Sequence, residues 1–302
     1  MARGDLTKGW LRGPGFVPLA PDVYVPSDVL VDQVTMARVA MLRHPEGTIA
    51  GTTAALFHGA IDAVVDVGRG GAPTEVLVPA SGTRSLAGLR VRCTDLPGDE
   101  VVEWPDGTDG AVLRLTSPAR TLVEVARALP TVEAVVVGDA LARRCGVTPA
   151  EVVELADRHT GERGMARVRA AAALMHPGSD TPRRTRVRLG VLRARLPPPL
   201  VDVVVTRAEG SAAVGSLDLS WPERSCGVLV DRHPDVAWAC AEELLAHGWE
   251  VASIGRQGEQ AVDEVVEDIA TFLARVDRLR WRDLPDMRGR FPRRPSAPKV
   301  FD

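Results

Sequence analysis

Residues 215–233, GSLDLSWPERSCGVLVDRH, constrain the fold more tightly than any other stretch of this 302-residue chain. Leu217, Leu219 and Trp221 alternate with Ser216, Asp218 and Ser220. Pro222-Glu223-Arg224 then interrupts the pattern, and an apolar run from Cys226 to Val230 stops at Asp231. Alternation is the signature of a half-buried strand, and a short unbroken apolar run is that of a strand covered on both faces. A β-hairpin is therefore expected, with the carboxylates of Asp218 and Asp231 at its edges. Paired carboxylates on adjacent strands are a candidate metal site; Glu223, in the turn, lies at the end away from both.

The surrounding pattern alternates helices and strands. A basic helix, TPRRTRVR onward, runs from 181 to 196 and is stopped by Pro197-Pro198-Pro199; a strand at 201–206 leads into the hairpin. A helix at 236–247 ending at Gly248, a strand at 249–254 and an amphipathic helix at 261–276 follow. This order predicts a mixed sheet flanked by helices on both faces. Beyond Asp277 the tail is rich in Pro and Arg, with eight cations between Arg278 and Lys299 against Asp283 and Asp286, and is expected to be disordered.

Upstream, residues 5–12 allow one or two helical turns, and 16–26, FVPLAPDVYVP, read as a tight hairpin around Pro21-Asp22. As a wing it lacks a full recognition helix before it, so a structural hairpin is the expectation. Helices are predicted at 33–43 and, capped by Thr52 or Thr53, up to Gly59. His58 sits just before that glycine, where a cation would suit the helix dipole. Strands are expected at 75–79, 89–93 and 111–115, with an acidic, turn-rich stretch at 95–109. Ser117-Pro118 opens a helix to 129, and Thr148-Pro149-Ala150-Glu151 is a capping box for another to about 158. From 131 to 175 the pattern is almost wholly helical. The expected organisation is thus α/β (α+β): an N-terminal α/β region with a small mixed sheet and wing-like hairpin (1–130), a helical connector (131–178), a sheet-containing domain (179–277) and a basic tail (278–302).

A net charge of −3 gives no global footprint for nucleic acid, so a basic surface must be local. Lys8 and Lys299 are the only lysines, a bias that GC-rich codons explain, but arginine's forked donors bind phosphate whatever the cause. Ten arginines lie between 158 and 195 against Glu162 and Asp180. On the basic helix Arg184, Arg188 and Arg195 share one face and Arg186 and Arg193 another, with Arg183 beside them. The four cysteines have no metal-ligand spacing and fall in segments that read as buried. No secretory leader or 18-residue apolar run is present, so a cytoplasmic protein without a membrane partner is expected. The glycines at 68–71 do not lie between a strand and a helix, which argues against a phosphate loop.

Four segments in order carry a resemblance: LAPDVYVP at 19–26, GTTAALFHG at 51–59, LTSPART at 115–121, and LDLSWPER at 217–224 with HGWEV at 247–251. The chain resembles a large actinobacterial family that joins an AbiEi-like abortive-infection antitoxin region to a domain related to very-short-patch-repair (Vsr) endonucleases. The resemblance implies a restriction-endonuclease-like C-terminal fold, in which clustered carboxylates hold Mg²⁺ for phosphodiester cleavage. It places the strand Asp of that family on Asp218 and a second acidic position on Asp231. The family's helix Glu falls on Arg184, its third-strand Glu on Leu229, its Gly on Arg232, and its His on Asp235, with His233 out of register. A leucine cannot ligate a hard cation, and Arg184 brings positive charge to the place of the metal. An ion pair of Arg184 with Asp218 is the expected replacement.

The expected function is that of a catalytically inactive endonuclease-fold protein that binds nucleic acid through Arg183, Arg184, Arg186, Arg188, Arg193 and Arg195, or that regulates. The resemblance implies an antitoxin-like transcriptional regulator with a cognate toxin as partner. The alternatives are an active Mg²⁺-dependent DNA endonuclease, using Asp218 and Asp231 with Asp235 and His233, and a protein-interaction module without nucleic-acid binding. No cofactor is expected unless cleavage survives, in which case Mg²⁺ is.

Overall fold

A computed structural model describes residues 7–29, 31–60, 73–79, 88–105, 112–207, 212–254 and 260–283. The glycines at 68–71 and the tail beyond 283 lie outside the described residues. The chain divides into two compact units, Met1–Ala172 and Ala173–Asp302, and among the described residues no helix is long and apolar enough to cross a membrane.

In the first unit a short helix, α1 (Lys8–Leu11), leads into the antiparallel hairpin β1 (Phe16–Ala20) and β2 (Val23–Pro26). Leu19, Ala20 and Val23 of this hairpin pack on the same core as Ala37 and Ala40 of α2 (Gln33–Arg43). It is thereby fixed to the body of the unit. The sheet beneath has the order β5-β4-β3-β7-β6, built from β3 (Thr48–Ala50), β4 (Thr74–Val78), β5 (Leu89–Cys93), β6 (Val101–Pro105) and β7 (Val112–Thr116). It is mixed: β3 runs antiparallel to β4 and parallel to β7, while β6 and β7 form an antiparallel pair.

Two local expectations fail here for backbone reasons. Helix α3 (Gly51–Phe57) follows directly on β3, so its N-cap is Ala50, which makes no side-chain cap, and Thr53 is buried. The reversal is made by Gly51 at φ +60, where an added Cβ would lie 2.5 Å from Glu75 Oε2; only glycine combines that φ with that approach. The stretch at 95–109 is not all turn, because Val101–Pro105 is strand β6, paired along its length with β7. Helices α4 (Pro118–Ala128), α5 (Thr131–Cys145), α6 (Pro149–Arg158) and α7 (Met165–Leu174) complete the unit. The helical stretch therefore lies within the first unit almost to the end of α7. The Thr148–Glu151 capping box is present in full.

The second unit holds α8 (Pro182–Arg193), the edge strand β8 (Leu200–Thr206), the hairpin strands β9 (Ala213–Trp221) and β10 (Cys226–Val230), α9 (Pro234–Ala246), β11 (Glu250–Ile254) and α10 (Val262–Asp283). The sheet order is β11-β10-β9-β8, with β10–β11 parallel and the other pairs antiparallel. Helix α10 continues to Asp283, past the predicted end at 276. One core cluster joins Val187 and Val191 of α8 and Ile269 and Phe272 of α10 to Leu219, Trp221, Val228 and Val230. Another sets Ala237 and Leu244 of α9 against Leu217 and Leu229.

Strand β9 is therefore not half-buried. It is an inner strand with helices over both faces, and every residue from Leu217 to Trp221 is buried, Asp218 and Ser220 included. Leu217 and Leu219 belong to different clusters despite their two-residue spacing. The cysteine expectation also fails in part: Cys226 is buried, but Cys93 and Cys145 are exposed. At Gly227 a Cβ would meet Leu217 Cδ1 at 2.6 Å and the backbone oxygen of Leu219 at 3.0 Å. Gly227→Ala is expected to lower stability by roughly 1–3 kcal/mol through overpacking. Gly161→Ala, where a Cβ meets nothing within 4 Å, should change the urea midpoint little; equal effects of the two would contradict the packing seen around β10.

Candidate functional site

Asp218 is 5% exposed, and a carboxylate removed from water needs donors or opposite charge. Both of its oxygens are engaged. Val230 N–H donates to Oδ2 at 2.7 Å, and Arg232 donates from Nε to Oδ2 at 3.0 Å and from Nη2 to Oδ1 at 2.6 Å. Arg184 Nη2 stands 3.3 Å from Oδ1. Arg232 also reaches Ser216 Oγ at 3.1 Å. Burial would lower the pKa of the Arg232 guanidinium, but its hydrogen bonds and charge contact with Asp218 outweigh that and hold it above its ordinary value. Arg184 is itself shared, donating to Asp180 Oδ1 at 2.5 Å and to the Val230 carbonyl at 3.4 Å.

Asp231 ends β10 in the left-handed region at φ +53, while its N–H still donates to Ile254 O at 3.1 Å. Its carboxylate pairs with Arg183, which also donates to the Gln260 carbonyl. Each aspartate of the candidate pair thus has its own arginine. Leu229 is fully buried in the α9-side cluster. His233 and Asp235 are exposed at the start of α9, 3.6 Å from each other, and Glu223 lies in the turn at the other end of the hairpin. Among the described residues no group of three or more His, Cys, Asp or Glu is placed to hold a metal ion. Mg²⁺ needs several free carboxylate oxygens in an octahedral set; at Asp218 a cation would have to displace Arg232 and Arg184, and the one unpartnered oxygen of the two aspartates, Asp231 Oδ1, is too few, so the donor set does not fit it.

The basic helix does not present a uniform cationic face. Arg183 and Arg184 turn to the two aspartates, and Arg188 is buried with Nε 3.2 Å from Ser179 Oγ. Arg186 is half-buried. Arg193 pairs with Asp263 at 2.7 Å across two largely exposed side chains, and Arg195 is exposed at φ +56.

A second polar centre, in the first unit, was not singled out from the sequence. Arg120, from the LTSPART segment, is 0% exposed. It donates from Nη1 to Glu100 Oε2 at 2.7 Å and from Nε to Glu124 Oε1 at 3.0 Å. Glu124 also pairs with Arg92. Burial would raise the Glu124 carboxyl, but Arg120 and Arg92 outweigh it and hold it below the ordinary carboxylate value. His159, at the end of α6, places Nε2 2.8 Å from Glu100 Oε1 and Nδ1 2.7 Å from Glu162 Oε1. The network ties the sheet, α4 and the end of α6 into one unit. The signal available was the i,i+4 pair Arg120–Glu124 on an otherwise apolar helix; nothing local marked Glu100 or His159.

His58 has a different role from the one its position suggested. It is 8% exposed, with Nε2 2.8 Å from the Thr116 carbonyl. Burial lowers its pKa despite that bond, so it is a neutral donor and not a cation on the helix dipole.

No family model, curated protein or solved structure matches this chain.

Removing one partner of a buried ion pair leaves the other charge stranded. Arg232→Met should therefore destabilise the protein by about 3–5 kcal/mol, and Arg232→Met with Asp218→Asn should recover part of that loss in urea denaturation. Simple additivity of the two would refute the pairing. The pH response has a definite sign. The folded pKa of His58 lies below its unfolded value, so the unfolded chain binds the extra proton first and stability falls as pH drops below about 6.5. Glu124 adds a further loss only at more acid pH, as protons reach its lowered folded pKa. His58→Gln, which retains a donor for Thr116, should flatten the near-neutral part of the thermal-midpoint curve; an unchanged slope would remove His58 as its source.

Proposed function

We propose that the chain is a non-hydrolytic nucleic-acid-binding or regulatory protein whose second unit is a restriction-endonuclease-like domain with its acidic centre closed by arginine. The carrying observation is the engagement of both Asp218 oxygens by Val230 N–H, Arg232 and Arg184. The motif resemblance supplies the link to nucleases. In-line hydrolysis of a phosphodiester without a metal would need another source of charge stabilisation and an activated water, and Asp218, with both oxygens engaged, offers no base for it.

Phosphate contacts fall to the arginines that remain accessible. On the basic helix these are Arg193 and Arg195, since the exposed pair Arg193–Asp263 is a weak one that a phosphate can replace. In the first unit Arg163 and Arg167 are exposed. Regulation in the manner of an antitoxin is the setting the N-terminal motifs suggest, with a nucleotidyltransferase-like toxin frame beside the gene as its marker.

The purified chain should leave supercoiled plasmid intact with Mg²⁺ or Mn²⁺, yet shift a DNA fragment with affinity that falls steeply with salt. Arg193→Gln with Arg195→Gln should lower the salt slope by roughly 1 per lost phosphate contact. Metal-dependent nicking that disappears in Asp218→Asn would overturn the proposal, and so would binding indifferent to salt.

A further inference from the structure

The outer face of α9 is apolar where a surface helix is normally polar. Ala237 and Leu244 are buried on the strands, but Trp238 is 74% exposed and Leu245 51%. These two residues are seven apart, two turns of helix, and so lie on one stripe. Asp235 and Glu242 accompany them on exposed positions. A tryptophan face among carboxylates selects a segment that carries cations together with prolines or an aromatic ring, through cation–π contact, proline stacking and ion pairing.

The chain itself contains such a segment. Residues 284–302 include RGRFPRRP, in which Phe291, Pro292 and Pro295 are interleaved with arginines, and Lys299 follows. Its point of departure is suitable. Arg275 Nη2 lies 3.7 Å from Glu250 Oε2, and Arg224 donates to Asp277 Oδ1 at 2.9 Å. The C-terminal half of α10 is therefore anchored beside the first residue of β11, and only His247, Gly248 and Trp249 separate that residue from the end of α9. The segment leaves from the end of the sheet at which Leu245 lies. Helix α9, 13 residues long, spans about 20 Å, whereas the 19 residues after Asp283 reach up to ~60 Å when extended.

We propose that residues 284–302 dock on the exposed stripe of α9 of the same chain, with Phe291 and its neighbouring prolines over Trp238 and Leu245 and the arginines paired with Asp235 and Glu242. The pairing is electrostatic and on the surface, so it weakens as salt rises.

The test uses the full-length chain. The signal of Trp238, isolated as the difference between the unmodified protein and Trp238→Phe, is followed during acrylamide quenching, with molecular mass measured by light scattering. Trp238 should be shielded in the monomeric protein. That shielding should be lost when Phe291→Ala is combined with Arg290→Gln, Arg293→Gln and Arg294→Gln, and lost again at high salt, with the circular dichroism spectrum unchanged. A Trp238 fully open to quencher in the unmodified chain would overturn the proposal. Shielding that survives the tail substitutions would overturn it as well, and accompanied by a dimer mass it would assign the stripe to a second copy of the chain.

Discussion

A carboxylate on an inner strand must be met by positive charge or by donors, and much of the second unit is arranged around that requirement at Asp218. Strand β9 is covered by helices on both faces, so its polar residues have no route to water. Val230 N–H meets the carboxylate from the neighbouring strand, Arg232 from just beyond the end of β10, and Arg184 from the first turn of α8. The start of α8, the hairpin and the entry to α9 are thereby held to one side chain. Asp231 repeats the arrangement with Arg183, which also grips the carbonyl before α10. The first unit meets the same demand at its own centre, where Arg120 is enclosed by Glu100 and Glu124.

Such pairs contribute more to specificity of arrangement than to net stability. Desolvating two charges offsets most of their attraction, and a well-packed apolar replacement often does as well. Their effect is to forbid alternatives. A slip of β10 by one residue would remove Val230 N–H from Asp218 and carry Leu229 out of the α9-side cluster, leaving a bare carboxylate on one face and a misplaced leucine on the other. Gly227 adds a steric condition, since only the observed register sets a residue without Cβ against Leu217.

Much of this was legible in the sequence. Periodicity and caps located α2, α4, α6 and the hairpin, because Ser117-Pro118 and Thr148–Glu151 are local devices that act through the backbone next to them. The pairing of Arg184 with Asp218 was also anticipated, through motif position. What escaped was set by distant residues. β6 is strand because β7 pairs with it, although its own residues read as turn and acid. Strand β9 is buried on both faces because α9 closes the second one, which alternation alone does not report. Arg120 on its apolar helix gave no sign of Glu100 or His159, which approach it from 20 and 39 residues away. For the basic helix, charge counting was the weaker guide: Arg183, Arg184 and Arg188 are turned inward to acceptors far away in sequence or across a turn, so the accessible cations are fewer than the composition suggests.

The residues at this corner make physical sense only as a set. Without a counter-charge Asp218 would be a buried, uncompensated carboxylate. Arg232 supplies one positive charge with two directed hydrogen bonds, and Arg184 supplies a second from the start of α8. Once both are present, Leu229 is free to serve the apolar cluster beneath α9. A change at one position would not make a metal site: a glutamate at 184 would set two carboxylates around the Arg232 guanidinium, which still holds Asp218. Building a carboxylate metal site around Asp218 would require Arg232 to leave, a carboxylate at 184, and another in place of the fully buried Leu229. Each of these steps taken alone exposes an unpaired charge or opens a cavity, and that barrier keeps the arginine-closed state in place.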